Sequence, residues 1–180
     1  MAEYLDILDE EGNKTGKTKL RSEVHRDGDW HRSVHIWIIN TKNELLIQKR
    51  SPNKKTHPNF LDLSVAGHVS AGDGVIDSAI REIKEELGIS IDPSELEQVC
   101  IYQQKYNENG FNNNQFNNVF LLKKDIVTKN AVLQKEEVAE IKFIPYQELV
   151  TLSKSGTMVP HPQEYQIILD FLNERLKIKK

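Results

Sequence analysis

The stretch from Asp73 to Ile89 constrains this chain more than any other. Ile76, Ala79, Ile80, Ile83 and Leu87 recur at i, i+3, i+4, i+7 and i+11, one stripe of a helix. The spacing predicts a helix over 73–87, and Gly88 stands where it would stop. On that helix Glu82, Glu85 and Glu86 fall at i, i+3 and i+4, so all three project from one face beside the core-facing Ile83 and Leu87. Neighbouring carboxylates repel one another, and a divalent cation relieves the repulsion. All-oxygen ligands suit Mg²⁺ or Mn²⁺, which also bind phosphate oxygens. Arg81 can hold one carboxylate in place through a bidentate pair. The same residues could equally form a plain solvated Glu/Lys face, so the helix alone decides nothing.

The rest of the chain reads as strands in runs with few helices. Tyr4 to Asp9 alternates apolar and polar up to the turn Glu10-Glu11-Gly12-Asn13, which predicts a hairpin. Ser33–Asn40 and Glu44–Arg50 predict a second, stronger hairpin, and Leu61–Ala66 a short strand. Glu97–Tyr106, Phe116–Leu122 and Val138–Ile144 predict three more strands, Pro145–Leu152 a short helix and Gln163–Leu176 an amphipathic one. This order suggests an α+β fold, a mixed β-sheet sandwiched between α-helices. Between Asn107 and Asn118 seven of twelve residues are asparagine, which reads as a solvated loop, or as a recognition loop at the mouth of a site.

With 180 residues, 38% of them hydrophobic and 28% charged, the chain is long enough for one globular domain and too apolar for disorder. A net charge of -3 argues against a nucleic-acid polymer as partner. Cys100 is the one cysteine, which excludes an intrachain disulfide and a cysteine zinc cluster. No apolar run approaches the roughly 20 residues that span a bilayer, and residues 1–20 lack a secretory core, so the expectation is a cytoplasmic protein without membrane contact.

Gly67, Asp73 and the run Arg81-Glu82-Ile83-Lys84-Glu85-Glu86-Leu87-Gly88-Ile89 together resemble the Nudix box, which here spans 67–89. The family pattern is G, five residues, E, seven residues, R-E-U-x-E-E-x-G-U, with U apolar; the one departure is Asp73, a methylene shorter than the first family Glu. The likeness extends, more loosely, over about residues 1–150 to Nudix proteins related to type I isopentenyl-diphosphate isomerase, through His25, His31, Gln48-Lys49-Arg50, Lys54 and Gly67-His68. The resemblance implies a single Nudix domain over 1–180, with an N-terminal hairpin extension at about 1–30 and a C-terminal helix at about 161–177.

The resemblance also implies chemistry. Nudix hydrolases cleave a nucleoside diphosphate linked to another moiety, and the family's metal ligands map onto Glu82, Glu85, Glu86 and the Gly67 carbonyl. Glu82 and Arg81 would be catalytic, with Arg81 orienting a box carboxylate. Many relatives place a general base outside the box, for which Glu136 and Glu137 (and Glu140) are candidates. Arg50, Lys54 and His68 match positions that bind substrate or metal in the isomerase subgroup, and His25 and His31, with His68, could form a second metal site. The isomerases carry a catalytic cysteine immediately before the leading glycine; here that position is Ala66, which has no proton to transfer. A non-catalytic nucleotide sensor is a further alternative, favoured only by Asp73. Among the other histidines, His35 reads as structural, and His57 and His161 adjoin prolines in turn-like contexts.

Residues 14–55 carry 11 Lys+Arg against 4 Asp+Glu, whereas residues 73–97 carry 8 Asp+Glu against 2 Lys+Arg. The near-neutral total is therefore two opposed zones, one suited to a divalent cation and one to phosphate. A small phosphorylated molecule is the expected partner, and a homodimer is an arrangement that many relatives adopt.

Overall fold

The computed structural model describes residues 2–108 and 111–177. In chain order the elements are β1 (Tyr4–Leu8), β2 (Lys14–Leu20), α1 (Arg21–Asp27), β3 (His31–Ile39), β4 (Glu44–Arg50), β5 (Leu61–Asp62), β6 (Val65–His68), α2 (Val75–Leu87), β7 (Leu96–Glu108), β8 (Phe111–Lys123), β9 (Val138–Pro145), α3 (Leu149–Leu152) and α4 (Pro162–Lys177). The fold is α+β with a mixed sheet. Two compact units divide the chain: Met1–Ile36, Ala66–Glu82 and Ile91–Phe120 form one, and Trp37–Val65, Ile83–Ser90 and Leu121–Lys180 the other.

The first unit holds the predicted hairpin, β1 antiparallel to β2, with Tyr4 opposite Leu20 and Leu8 opposite Lys14. Asp9 closes its turn by accepting from the backbone N–H groups of Glu11 and Asn13 at 3.1 and 2.8 Å. Leu5 and Ile7 bury against Val24 of α1, and Leu8 against Trp30 and Phe116. A buried apolar side chain of this size contributes about 1.5–3 kcal/mol. Helix α1 is not apparent in the sequence, because Val24 is its one buried apolar residue. Strands pair in the order β6, β3, β8, β7.

The Asn-rich segment is not a loop. Residues 111–118 are the first half of β8, and Gln115, Asn117 and Asn118 are buried; Asn109 and Gly110 lie outside the described residues. The amides replace water as partners. Asn118 Nδ2 donates to Ser33 O at 3.0 Å, and Asn117 Nδ2 to Gln104 Oε1 at 2.8 Å. Asn112 Nδ2 reaches Arg26 O at 3.0 Å and Asn114 Nδ2 reaches Gly28 O at 2.8 Å, so two strand side chains satisfy carbonyls at the C-terminal end of α1.

In the second unit β4 is bound along both edges. Its residues pair antiparallel with β9 from Glu44–Pro145 to Arg50–Val138; on the other edge Leu45 and Leu46 face β3, and Gln48 and Lys49 face β5. The expected strand at Leu61–Ala66 is broken in two at Leu63-Ser64, where Ser64 Oγ accepts from Ile38 N at 2.8 Å. Helix α4 buries Tyr165, Ile168, Leu169 and Leu172, one stripe at i, i+3, i+4 and i+7. Before α3, residues Tyr146–Glu148 form a 3-10 turn.

Helix α2 starts at Val75, two residues later than the periodicity implies, which leaves Ile76 exposed in its first turn while Ala79, Ile83 and Leu87 are fully buried. It ends at Gly88, whose φ of +71° puts it in the left-handed region. A side chain there would also collide with Val132.

Candidate functional site: the carboxylate helix and its surroundings

The first unit places Gly67 of β6 directly against Glu82 of α2. A Cβ built on Gly67 would fall inside the Glu82 carboxyl group, so only glycine admits this approach. Arg81 Nη1 pairs with Glu82 Oε1 at 2.9 Å, and Arg81 Nη2 donates to His68 O at 3.1 Å. Arg81 thus ties the box helix to the strand bearing Gly67 and orients Glu82. Asp73 precedes the helix and is exposed, its N–H donating to Ser70 O at 3.0 Å.

Glu86 belongs to the second unit and is 4% exposed, with Gln48 Nε2 donating to its Oε2 at 3.2 Å. Glu85, one residue earlier on α2, is exposed. Arg50 is 14% exposed at its side chain. Its Nη1 pairs with Asp62 Oδ2 at 3.0 Å, its Nε donates to His57 O at 3.2 Å and its Nη2 to Thr56 O at 3.0 Å. The guanidinium therefore clamps the segment after β4. Lys54 pairs with Glu137, which joins a phosphate-binding candidate to a general-base candidate. Glu136 and Glu140 are exposed.

The structure brings His25, His31 and His68 together. His25 on α1 and His31 at the start of β3 are buried, and with His68 their ligand atoms lie within 4.8 Å of one another. Their ring centroids are 5.0–5.3 Å apart. His25 Nδ1 faces Asn112 O at 3.2 Å and His31 Nδ1 faces Asp29 O at 3.1 Å. A carbonyl only accepts, so each Nδ1 carries the proton and each Nε2 keeps a lone pair. Both Nε2 atoms are buried without a hydrogen-bond partner. Burial lowers the pKa of His25 and brings that of His31 to about 4, so both rings are neutral near pH 7, the form that ligates metal.

Sequence reasoning missed Asp62 and His161. Asp62 is 1% exposed, and His161 Nε2 lies 3.6 Å from its Oδ1. His161 is a buried ionic partner and not a turn residue without a role. Burial pushes the His161 pKa down, but the Asp62 carboxylate outweighs this and raises it above 6.5. Burial pushes Asp62 up, and His161 and Arg50 together outweigh it, holding Asp62 at about 2. An isolated acid in the run Leu61-Asp62-Leu63 was the one available sequence signal. Trp37 is fully buried, and its Nε1 donates to Glu164 Oε1 at 2.7 Å.

The pair makes stability depend on pH. His161 has a raised pKa, so its contribution is complete below its unfolded value of 6.5 and is lost as pH rises through the folded value. Asp62 has a depressed pKa, so its contribution is present above 3.8 and lost as pH falls to about 2. The melting temperature is therefore expected to decline above pH 6.5, and His161→Gln to flatten that decline. A wild-type melting temperature that is level from about pH 6 to about pH 9, followed by circular dichroism, would exclude this linkage.

The family model for the NUDIX domain matches residues 29–164. Nudix hydrolase 3 of Arabidopsis thaliana is 42% identical over 185 residues, covering 98% of this chain; the chain spans 24% of that relative's length. The uncharacterized Nudix hydrolase lmo0368 of Listeria monocytogenes is 38% identical over 177 residues, covering 98% of this chain and 95% of the relative. Isopentenyl-diphosphate Delta-isomerase 1 of Mesocricetus auratus is 27% identical over 187 residues, in keeping with the subgroup likeness. Among solved structures, DR0079 from Deinococcus radiodurans aligns with a TM-score of 0.73 at 21% identity, covering 92% of this chain and 97% of that one.

Proposed function

Because this chain belongs to the Nudix hydrolase family, we propose that it is a metal-dependent pyrophosphohydrolase acting on a nucleoside diphosphate linked to another moiety. The observation that carries the reading is the seating of Glu82 against Gly67, with Glu86 buried four residues further along the same helix. Carboxylates and a backbone carbonyl are hard oxygen donors, so Glu82, Glu85, Glu86 and Gly67 fit Mg²⁺ or Mn²⁺. Bound there, such a cation supplies charge neutralisation for phosphate oxygens and acidifies a water. Arg81 holds Glu82 in orientation. Glu137 or Glu136 takes the proton of the attacking water. Lys54 binds phosphate, in competition with the Glu137 carboxylate, and Arg50, whose guanidinium is engaged by Asp62 and two backbone carbonyls, holds the segment that follows β4 and carries Lys54. His25 and His31 together with His68 form a second site for a softer divalent cation, a reading supported by the two unpartnered Nε2 atoms.

The test is hydrolysis of a panel of nucleoside diphosphate derivatives by the purified protein with Mg²⁺. Release of phosphate or monophosphate, lost on adding a chelator, is the expected result; binding of panel members without turnover would favour the sensor. Migration of the double bond in isopentenyl diphosphate would overturn the reading in favour of the isomerase, which Ala66 argues against. Gly67→Ala is expected to keep the fold and to displace Glu82, lowering kcat/KM roughly 100-fold, the cost of a small misplacement in a catalytic constellation. Unchanged kinetics in that variant would separate Gly67 from the site. A cytoplasmic location and a homodimer complete the proposal, the latter open to analytical ultracentrifugation.

A further inference from the structure

Strand β4 carries a buried glutamine directly after three apolar residues. Leu45, Leu46 and Ile47 are fully buried, and Gln48 follows them at 3% exposure. A buried amide is costly unless it is bonded, so its presence needs a partner that repays the burial. That partner is Glu86, to which Gln48 Nε2 donates at 3.2 Å. A carboxylate oxygen only accepts, so the amide nitrogen must face it, which fixes the orientation of the Gln48 side chain. The backbone beneath Gln48 is held as well, paired with Ile141 of β9 on one edge and Asp62 of β5 on the other.

We propose that Gln48 is a positioning residue for Glu86, its amide holding the carboxylate in the orientation that ligates the divalent cation and thereby setting metal affinity, a role that rests on the hydrolase reading of the α2 carboxylates. The choice of an amide is informative. A lysine or arginine at this position would pair with Glu86 and cancel the charge that attracts the cation. A glutamine orients the carboxylate and leaves it anionic. Asparagine, one methylene shorter, would fall short of it from the same backbone position.

The test is Mn²⁺ binding to the full chain, read from the free-ion signal in electron paramagnetic resonance, with folding checked by circular dichroism. Gln48→Leu and Gln48→Asn are each expected to raise the Mn²⁺ Kd about 10–100-fold, the range typical of residues that orient metal ligands. Turnover of the substrate identified in the panel should recover toward the wild-type kcat at saturating metal, which a general structural defect would not permit. If both variants fold and bind Mn²⁺ within about twofold of wild type, well inside that range, the proposal is overturned. If only Gln48→Asn folds, its Kd decides in the same way. If wild type fails to bind Mn²⁺, or Glu86→Gln binds it as tightly as wild type, the hydrolase reading itself fails and takes this role with it.

Discussion

Replacing Glu86 by glutamine is expected to lower kcat about 1,000-fold, equivalent to about 4 kcal/mol of transition-state stabilisation. The substitution is isosteric, so the core formed around Ile83 and Leu87 should persist. What it removes is the charge, at a position only 4% exposed, where a divalent cation would meet little competition from solvent. The loss should be seen at saturating substrate and should not be rescued by more Mg²⁺. Two measurements check it: kcat with Mg²⁺, and the stabilisation of the fold by Mg²⁺, which should shrink in parallel. A variant that retains near-normal kcat would remove Glu86 from the metal site.

Replacing Asp62 by alanine is expected to cost about 3–5 kcal/mol of stability, because it strands the buried cations Arg50 and His161 without their shared anion. In a chain of this size that is a fall in melting temperature on the order of 10 °C. The effect should be largest between pH 3.8 and 6.5, where Asp62 is ionised and His161 protonated, and smaller at alkaline pH, where His161 sheds its proton and Arg50 alone loses its anion. Thermal unfolding at two pH values separates the two contributions. A loss under about 1 kcal/mol would mean that solvent reaches these groups and screens them.

These two residues also mark the limits of what the sequence reveals. Glu86 was legible because a helical period and a family pattern put three carboxylates on one face. Strand β4 matched its predicted bounds, Glu44–Arg50, and α4 lay within a residue of its own, because alternation and the i, i+3, i+4 stripe are local signals. Asp62 and His161 are 99 positions apart, and nothing local announces an ion pair between them. Gly67 was recognised as part of a pattern, yet its reason, the Glu82 carboxylate in the space of a Cβ, is a fact of packing. The asparagine run misleads because its turn-forming composition masks the strand it continues. Asparagine is poor at making strands in water, and here Ser33 O, Gln104 and the end of α1 supply the partners that make one.

The fastening of α1 to β8 is made of neutral groups. Asn112 and Asn114 donate amide hydrogens to carbonyls, and His25 meets the Asn112 carbonyl, whereas Lys19 on β2 reaches Asp27 and Asp29 through charges partly open to solvent. Ionic strength screens the second kind of contact and leaves the first almost untouched. The helix that carries His25 is thus secured by bonds that hold in dilute buffer and in concentrated salt alike, while the ionic contacts around it loosen.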